Sequence, residues 1–144
     1  MITFNGKKEY IRGQTSSIRK TINSIIKEHQ FKINQIDYIF VDDETLLDIN
    51  RTSLNHNFYT DIITFDYTED RRIEAEIYIS IDRVTENANK YKTAFHVELL
   101  RVIFHGVLHC VGYKDKTKSE SKKMRLAEEK YLERYKNVFH VELE

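Results

Sequence analysis

The stretch Thr93-Ala-Phe-His-Val-Glu-Leu-Leu-Arg-Val-Ile-Phe-His-Gly-Val-Leu-His-Cys-Val111 places Leu99, Leu100, Val102, Ile103, Phe104, Val107, Leu108 and Val111 around most of a helical circumference. An amphipathic surface helix shows one apolar stripe, whereas one that is apolar nearly all round is buried on nearly all sides. The rest of the chain therefore has to supply layers that cover this helix, and its hydrophobic periodicity says what they are. Met1–Asn5 reads as a short strand, with Gly6 turning the chain. Asn34–Val41 alternates Ile36, Tyr38 and Phe40 with polar neighbours, and Asp61–Tyr67 is rich in β-branched and aromatic residues. Arg72–Ser80 is the cleanest strand, with Ile73, Ala75, Ile77 and Ile79 on one face and Glu74, Glu76 and Tyr78 on the other. From about Ser17, Ile18, Ile22, Ile25 and Ile26 recur at helical spacing, with Thr15, Ser16 or Ser17 as candidate caps. A short helix follows Asp43 through Leu46, Leu47 and Ile49, and Ser80 opens another through Val84, Ala88 and Tyr91. The capping box Thr117-x-x-Glu120 starts the last helix, which runs to about Lys136 with Met124, Ala127, Tyr131 and Tyr135 as its buried stripe. The pattern predicts an α+β fold, a small mixed sheet of about four strands packed with helices around a buried central helix.

Length and composition bound the rest. The 144 residues suit a single domain over 1–144, large enough to hold its core without disulfides. The lone Cys110 excludes an internal disulfide and fits a reducing, cytoplasmic setting. No apolar run is long enough to cross a membrane, and the start of the chain lacks the pattern of a secretory leader. With 23 Lys+Arg against 23 Asp+Glu, the chain is not a general nucleic-acid coat, although a local basic face is compatible with zero net charge. Proline is absent, and two of the four glycines, Gly106 and Gly112, fall in one short segment.

That segment carries the chemistry. At about 100° per residue, Glu98, Arg101, His105 and His109 form a polar line within about 80° on the otherwise apolar helix. Imidazoles four residues apart project from one face and can share a metal, and Gly112 permits a left-handed turn that brings Asp115 back towards them. His105-Gly-Val-Leu-His109-Cys-Val-Gly112-Tyr-Lys-Asp115 thus offers two nitrogens and one oxygen, and leaves a fourth position open, as catalytic zinc requires. The competing structural reading, two hydrogen-bonded core histidines, has to bear the cost of burying polar groups. Zinc peptidases carry a glutamate immediately after the first histidine as general base, and here that position is Gly106.

The segment resembles the signature H-G-x-L-H-x-x-G-x-x-H of the YbeY family of zinc-dependent endoribonucleases, through His105, Gly106, Leu108, His109 and Gly112. Thr60-Asp61-Ile62-Ile63-Thr64-Phe65 resembles that family's T-D-V-L-S-F block, and Ala75-Glu76-Ile77-Tyr78-Ile79-Ser80 its G-D-I-x-I-S block. The resemblance implies a zincin-like arrangement and one Zn2+ per chain, held by His105, His109 and Asp115. It implies single-strand-specific cleavage of ribosomal RNA by a zinc-activated water, in 16S 3′-end maturation and ribosome quality control. Ribosomal RNA and the small ribosomal subunit are the implied partners, with ribosome-assembly proteins beside them. Asp115 replaces the family's third histidine, and Leu54 stands where the family usually carries an arginine. Arg51, Arg101 or the C-terminal lysines are the candidates for that arginine's work, and Asp61 and Glu76 are candidate bases by block position alone. The rival expectations are a zinc hydrolase of another class, such as a peptidase, and a non-catalytic ribosome-assembly factor with a structural metal.

Around this site, Lys114–Lys136 holds nine basic against five acidic residues, a candidate phosphate-contacting face. Phe58, Tyr59 and Tyr113 are candidates to stack on unpaired bases, although aromatics beside turns usually belong to the core. Glu98 and Arg101 are expected to orient the histidines, and Cys110 to pack. His29, His56, His96 and His140 have no partner at ligand spacing and read as surface or satisfied groups, His56 in a polar loop before the Thr60 block.

Overall fold

The structure, a computed structural model, describes residues 1–139. Strands β1 (Ile2–Gly6), β2 (Lys32–Val41), β3 (Ile62–Asp66) and β4 (Arg72–Ser80) form one sheet in the order β1-β2-β4-β3. The β1–β2 and β2–β4 pairs are parallel, and β3 lies antiparallel at the edge. Register sets the core, because Phe4 faces Tyr38, Tyr38 faces Ile77, and Phe40 faces Ile79. These alternate residues all point to the same side. One irregularity at Asn34, between Ile33 and Gln35, keeps the two halves of β2 in phase with β4.

Helices α1 (Thr15–Glu28), α2 (Asp43–Leu54), α3 (Ile81–Tyr91), α4 (Phe95–Cys110) and α5 (Lys118–Phe139) surround this sheet. α4 is the central helix, with Leu99, Ile103, Phe104, Val107 and Leu108 wholly buried. The Tyr38 hydroxyl, also buried, donates to the Ile103 carbonyl at 2.7 Å, which ties the middle of α4 to the sheet and satisfies the phenol. One hydrophobic cluster runs from Ile2 to Tyr135. The α+β architecture with a four-stranded mixed sheet is as the hydrophobic pattern predicts.

Local details depart from expectation for identifiable reasons. α1 begins at Thr15, so Thr15, Ser16 and Ser17 lie within the helix and cap nothing; Gln14 occupies the cap position without a side-chain bond to the helix. Its Oε1 instead accepts from the Tyr135 hydroxyl on α5, a tertiary bond that no local pattern encodes. α2 continues past Ile49 to Leu54, ending at Asn55 in the left-handed region (φ 55°). The buried Asn50 amide donates to the Phe58 carbonyl at 2.8 Å and so fastens the following loop to the helix. A 3-10 turn over Lys8–Ile11 has no counterpart in the sequence reading. The capping box is formed as expected: Glu120 N–H donates to Thr117 Oγ1 at 3.1 Å, and Thr117 N–H donates to Glu120 Oε1 at 3.0 Å.

Gly106 packs directly against the sheet. A β-carbon there would lie 3.0 and 3.1 Å from two carbons of Ile77 and 3.3 Å from one of Ile62. Ile77 is wholly buried and cannot swing aside. Gly106→Ala is therefore expected to destabilise by about 1–2 kcal/mol, because overpacking of about 1–3 kcal/mol outweighs the roughly 1 kcal/mol gained in helix propensity. Urea unfolding measures the difference; an equal or higher midpoint would mean that the layers are not in tight contact.

Candidate active site

α4 presents His105 and His109 to a cleft of about 520 Å³, bounded by β3 on one side and the start of α5 on the other. Their rings are nearly parallel, 6.3 Å between centroids with a 10° interplanar angle, as the one-turn spacing dictates. Gly112, at φ +113°, turns the chain after α4, and Asp115 returns to the cleft. Its Oδ2 lies 3.4 Å from His105 Nε2.

The remaining ring nitrogens are held by the protein. His105 Nδ1 lies 2.7 Å from Glu128 Oε2 on α5, and His109 Nδ1 lies 2.9 Å from the Tyr113 carbonyl oxygen. A carboxylate or carbonyl at Nδ1 selects the tautomer whose Nε2 carries a lone pair, the usual second layer around a metal-binding histidine. Two donors on one tetrahedral metal, each at about 2.1 Å, stand about 3.4 Å apart, the separation found between His105 Nε2 and Asp115 Oδ2. Among the described residues no three His, Cys, Asp or Glu side chains form a ready-made cluster. The donors are chemically suited to zinc, and one pair, His105 Nε2 and Asp115 Oδ2, has the spacing of two ligands on one ion, while the His109 ring stands one turn away with its centroid 6.3 Å from that of His105.

Charge is concentrated beside these donors. Arg101 reaches Glu98 at 3.6 Å, Glu128 at 3.3 Å and Glu129 at 2.7 Å, and the Glu98 and Glu128 side chains are almost fully buried. Burial lowers the pKa of His105, but the hydrogen bond to Glu128 and the charges of Glu128, Asp115 and Asp61 outweigh it, so the ring holds a proton more firmly than an ordinary imidazole. Burial raises the carboxyl of Asp61, against the pull of His105, and raises that of Glu98, against the pull of Arg101. Asp61 lines the cleft, and its Oδ2 lies 3.4 Å from Asn87 Nδ2.

The fold brings His105, His109, Asp115, Asp61 and Arg101 into one cleft and leaves other candidates outside it. Arg51 is exposed on α2 and donates to Asn57 Oδ1 at 2.6 Å, and neither it nor Leu54 lines the cleft. Glu76 accepts from the Tyr67 hydroxyl at 3.4 Å, outside the cleft lining. Arg101 touches neither histidine: it is committed to three carboxylates, and it acts on His105 only through Glu128. Tyr113 packs by its ring against His29, whose Nε2 meets the Tyr113 hydroxyl at 3.1 Å, so neither is a cleft residue. Tyr59 lies under Arg83, with its hydroxyl on Glu44, and His56 stacks on exposed Phe58. His96 is exposed, and His140 lies outside the described residues. Cys110 is buried, and burial above all pushes its thiol up to about 12, as suits a packing residue. Of the basic run, Arg125 lines the cleft with its side chain 58% exposed. Glu128 was not anticipated from sequence. Its signal is a carboxylate next to Ala127 in the buried stripe of α5, where a charge requires a partner.

Comparison with known proteins agrees with this architecture. The family model for Endoribonuclease YbeY matches residues 2–136. The chain is 45% identical over 142 residues to an Endoribonuclease YbeY of Flavobacterium psychrophilum, covering 98% of both chains. It is also 45% identical to one of Cytophaga hutchinsonii, covering 90% of this chain and 91% of that one. The solution structure of TM1509 from Thermotoga maritima superposes with a TM-score of 0.69 at 27% identity, over 97% of this chain and 92% of that one.

Proposed function

Because this chain belongs to the Endoribonuclease YbeY family, we propose that it is a zinc-dependent endoribonuclease that cuts single-stranded ribosomal RNA in the cytoplasm. Its work is 16S 3′-end maturation and quality control on the small ribosomal subunit, with residues 1–144 acting as one domain. The metal ligands are His105, His109 and Asp115. The observation that carries this reading is the occupation of Nδ1 on both imidazoles by protein acceptors, which leaves both Nε2 atoms for a metal. When bound there, zinc supplies a Lewis acid for a phosphoryl oxygen and a lowered pKa for water.

The chain's own residues supply the rest. Glu128 and the Tyr113 carbonyl hold the two rings. Asp61, which lines the same cleft and whose carboxyl is raised by burial, is the proton acceptor of the reaction. Arg125 and the lysines of α5 attract the phosphate backbone. The peptidase alternative finds no support, since position 106 is pressed onto Ile77 and cannot accept a glutamate base. A structural metal is disfavoured by donors that line an open cleft, where the Asp115 side chain is 43% exposed.

The test is cleavage of an unstructured ribosomal RNA fragment by purified protein, with and without a chelator. Cleavage is expected to stop on chelation and return with zinc; cleavage that continues in chelator would overturn the metal-dependent reading. Analysis of the new ends separates the routes, as a 2′,3′-cyclic phosphate would assign the attack to the ribose 2′-hydroxyl instead of water.

A further inference from the structure

The cleft wall opposite α5 is formed in part by α3, where Asn87 and Tyr91 stand one helical turn apart and both line the cavity that holds His105, His109 and Asp61. Tyr91 leaves 54% of its surface exposed, although a ring of that size is normally covered. The other exposed large aromatics, Tyr10, Phe58, Tyr59 and Tyr67, are absent from the cleft lining. The ammonium of Lys90 lies 5.4 Å from the centre of the Tyr91 ring and brings a positive charge to the rim. Asn87 makes one long side-chain bond, 3.4 Å from its Nδ2 to Asp61, so the amide keeps an acceptor and a donor hydrogen for a ligand. An exposed ring beside an under-used amide suits an unpaired nucleobase, which stacks on the first and hydrogen-bonds to the second.

We propose that Asn87 and Tyr91 form a nucleobase subsite that holds one unpaired base of the RNA strand beside the metal-binding histidines. This inference rests on the endoribonuclease reading and adds a reason for single-strand preference: a paired and stacked base cannot present its face to Tyr91. Tyr91 acts here in binding, and Asn87 in reading the base edge.

The test is fluorescence anisotropy with the full zinc-loaded chain and a 2′-O-methyl oligo-adenosine strand, shown by gel to stay intact during the titration, beside a strand of equal length made of abasic units. Tyr91→Ala is expected to weaken binding of the oligo-adenosine strand by about fivefold to about a hundredfold. Tyr91→Phe retains the affinity, and all three proteins bind the abasic strand equally, because only its phosphates are held. Circular dichroism verifies that the exposed substitution leaves the fold intact. If wild-type protein binds and cuts RNA but Tyr91→Ala binds oligo-adenosine as tightly, or loses affinity equally for the abasic strand, the subsite is overturned and the endoribonuclease reading stands. If wild-type protein neither binds nor cuts RNA, both fall.

Discussion

Alanine at position 109 is expected to leave a folded protein that no longer retains zinc and cuts RNA at least about a thousandfold more slowly. Loss of a residue behind a metal ligand commonly costs about 10–100-fold, and loss of the ligand itself costs more. The prediction is clean because His109 is exposed and makes one polar contact with the protein, to the Tyr113 carbonyl, which water can replace. In chelator the variant should therefore match the wild-type protein in stability to within about 0.5 kcal/mol, as exposed substitutions usually do. With zinc present, only the wild-type protein should gain stability, since a ligand that binds the native state alone raises its melting temperature. Elemental analysis of the two proteins, followed by melting curves with and without zinc, decides the matter. Equal zinc content in both would remove His109 from the site. Unfolding of the variant in chelator would mark the residue as structural.

Arg101→Met is expected to have the largest effect on stability, a loss of about 3–5 kcal/mol near neutral pH. The guanidinium stands between Glu98 and Glu128, whose side chains are 8% and 7% exposed, and the third partner, Glu129, is largely in solvent. Methionine preserves much of the packing but takes from two buried carboxylates the cation they share, leaving Glu128 with exposed Arg125 at 3.7 Å and the His105 ring at 2.7 Å. The pH dependence follows from Glu98. Its carboxyl is already raised by burial in spite of Arg101, and without Arg101 it rises further. A raised acid penalises the native state fully above its folded pKa, and the penalty disappears as pH falls towards the ordinary value of 4.5. The deficit of the variant should thus be greatest near neutral pH and should narrow on acidification. Urea unfolding in chelator at about pH 7.5 and about pH 5.5 measures it. A deficit under about 1 kcal/mol at the higher pH would mean that the two glutamates do not depend on this arginine.

Strand β4 was legible to the residue because four apolar side chains alternate with Glu74, Glu76 and Tyr78, and one buried face suffices to impose that period. The central place of α4 was legible from its apolar surface, although the helix runs over Phe95–Cys110, inside the Thr93–Val111 stretch that the pattern suggested. His105, His109 and Asp115 were legible as a group because a helical turn and a glycine turn are short-range geometry. The placement of Arg51 on α2, bonded to Asn57 and outside the cleft lining, was not legible because block spacing says nothing about direction. Tyr91 was grouped by helical spacing with Val84 and Ala88, yet those two are buried and Tyr91 is 54% exposed at the cleft, because periodicity does not say where along a helix the covering layer ends.

By itself, the order of residues along the chain determined the elements, the buried face of each, and the two imidazoles on one turn of α4, because these depend on neighbours within about four positions. The tertiary structure decided which elements meet. It placed β3 antiparallel at the edge beside the cleft. It set Gly106 against Ile77, and it brought Glu128 to His105 across 23 residues of sequence. Such contacts arise from the packing of whole faces around a shared core, where the partner of a residue is set by the register and crossing of distant segments and not by the residues on either side of it.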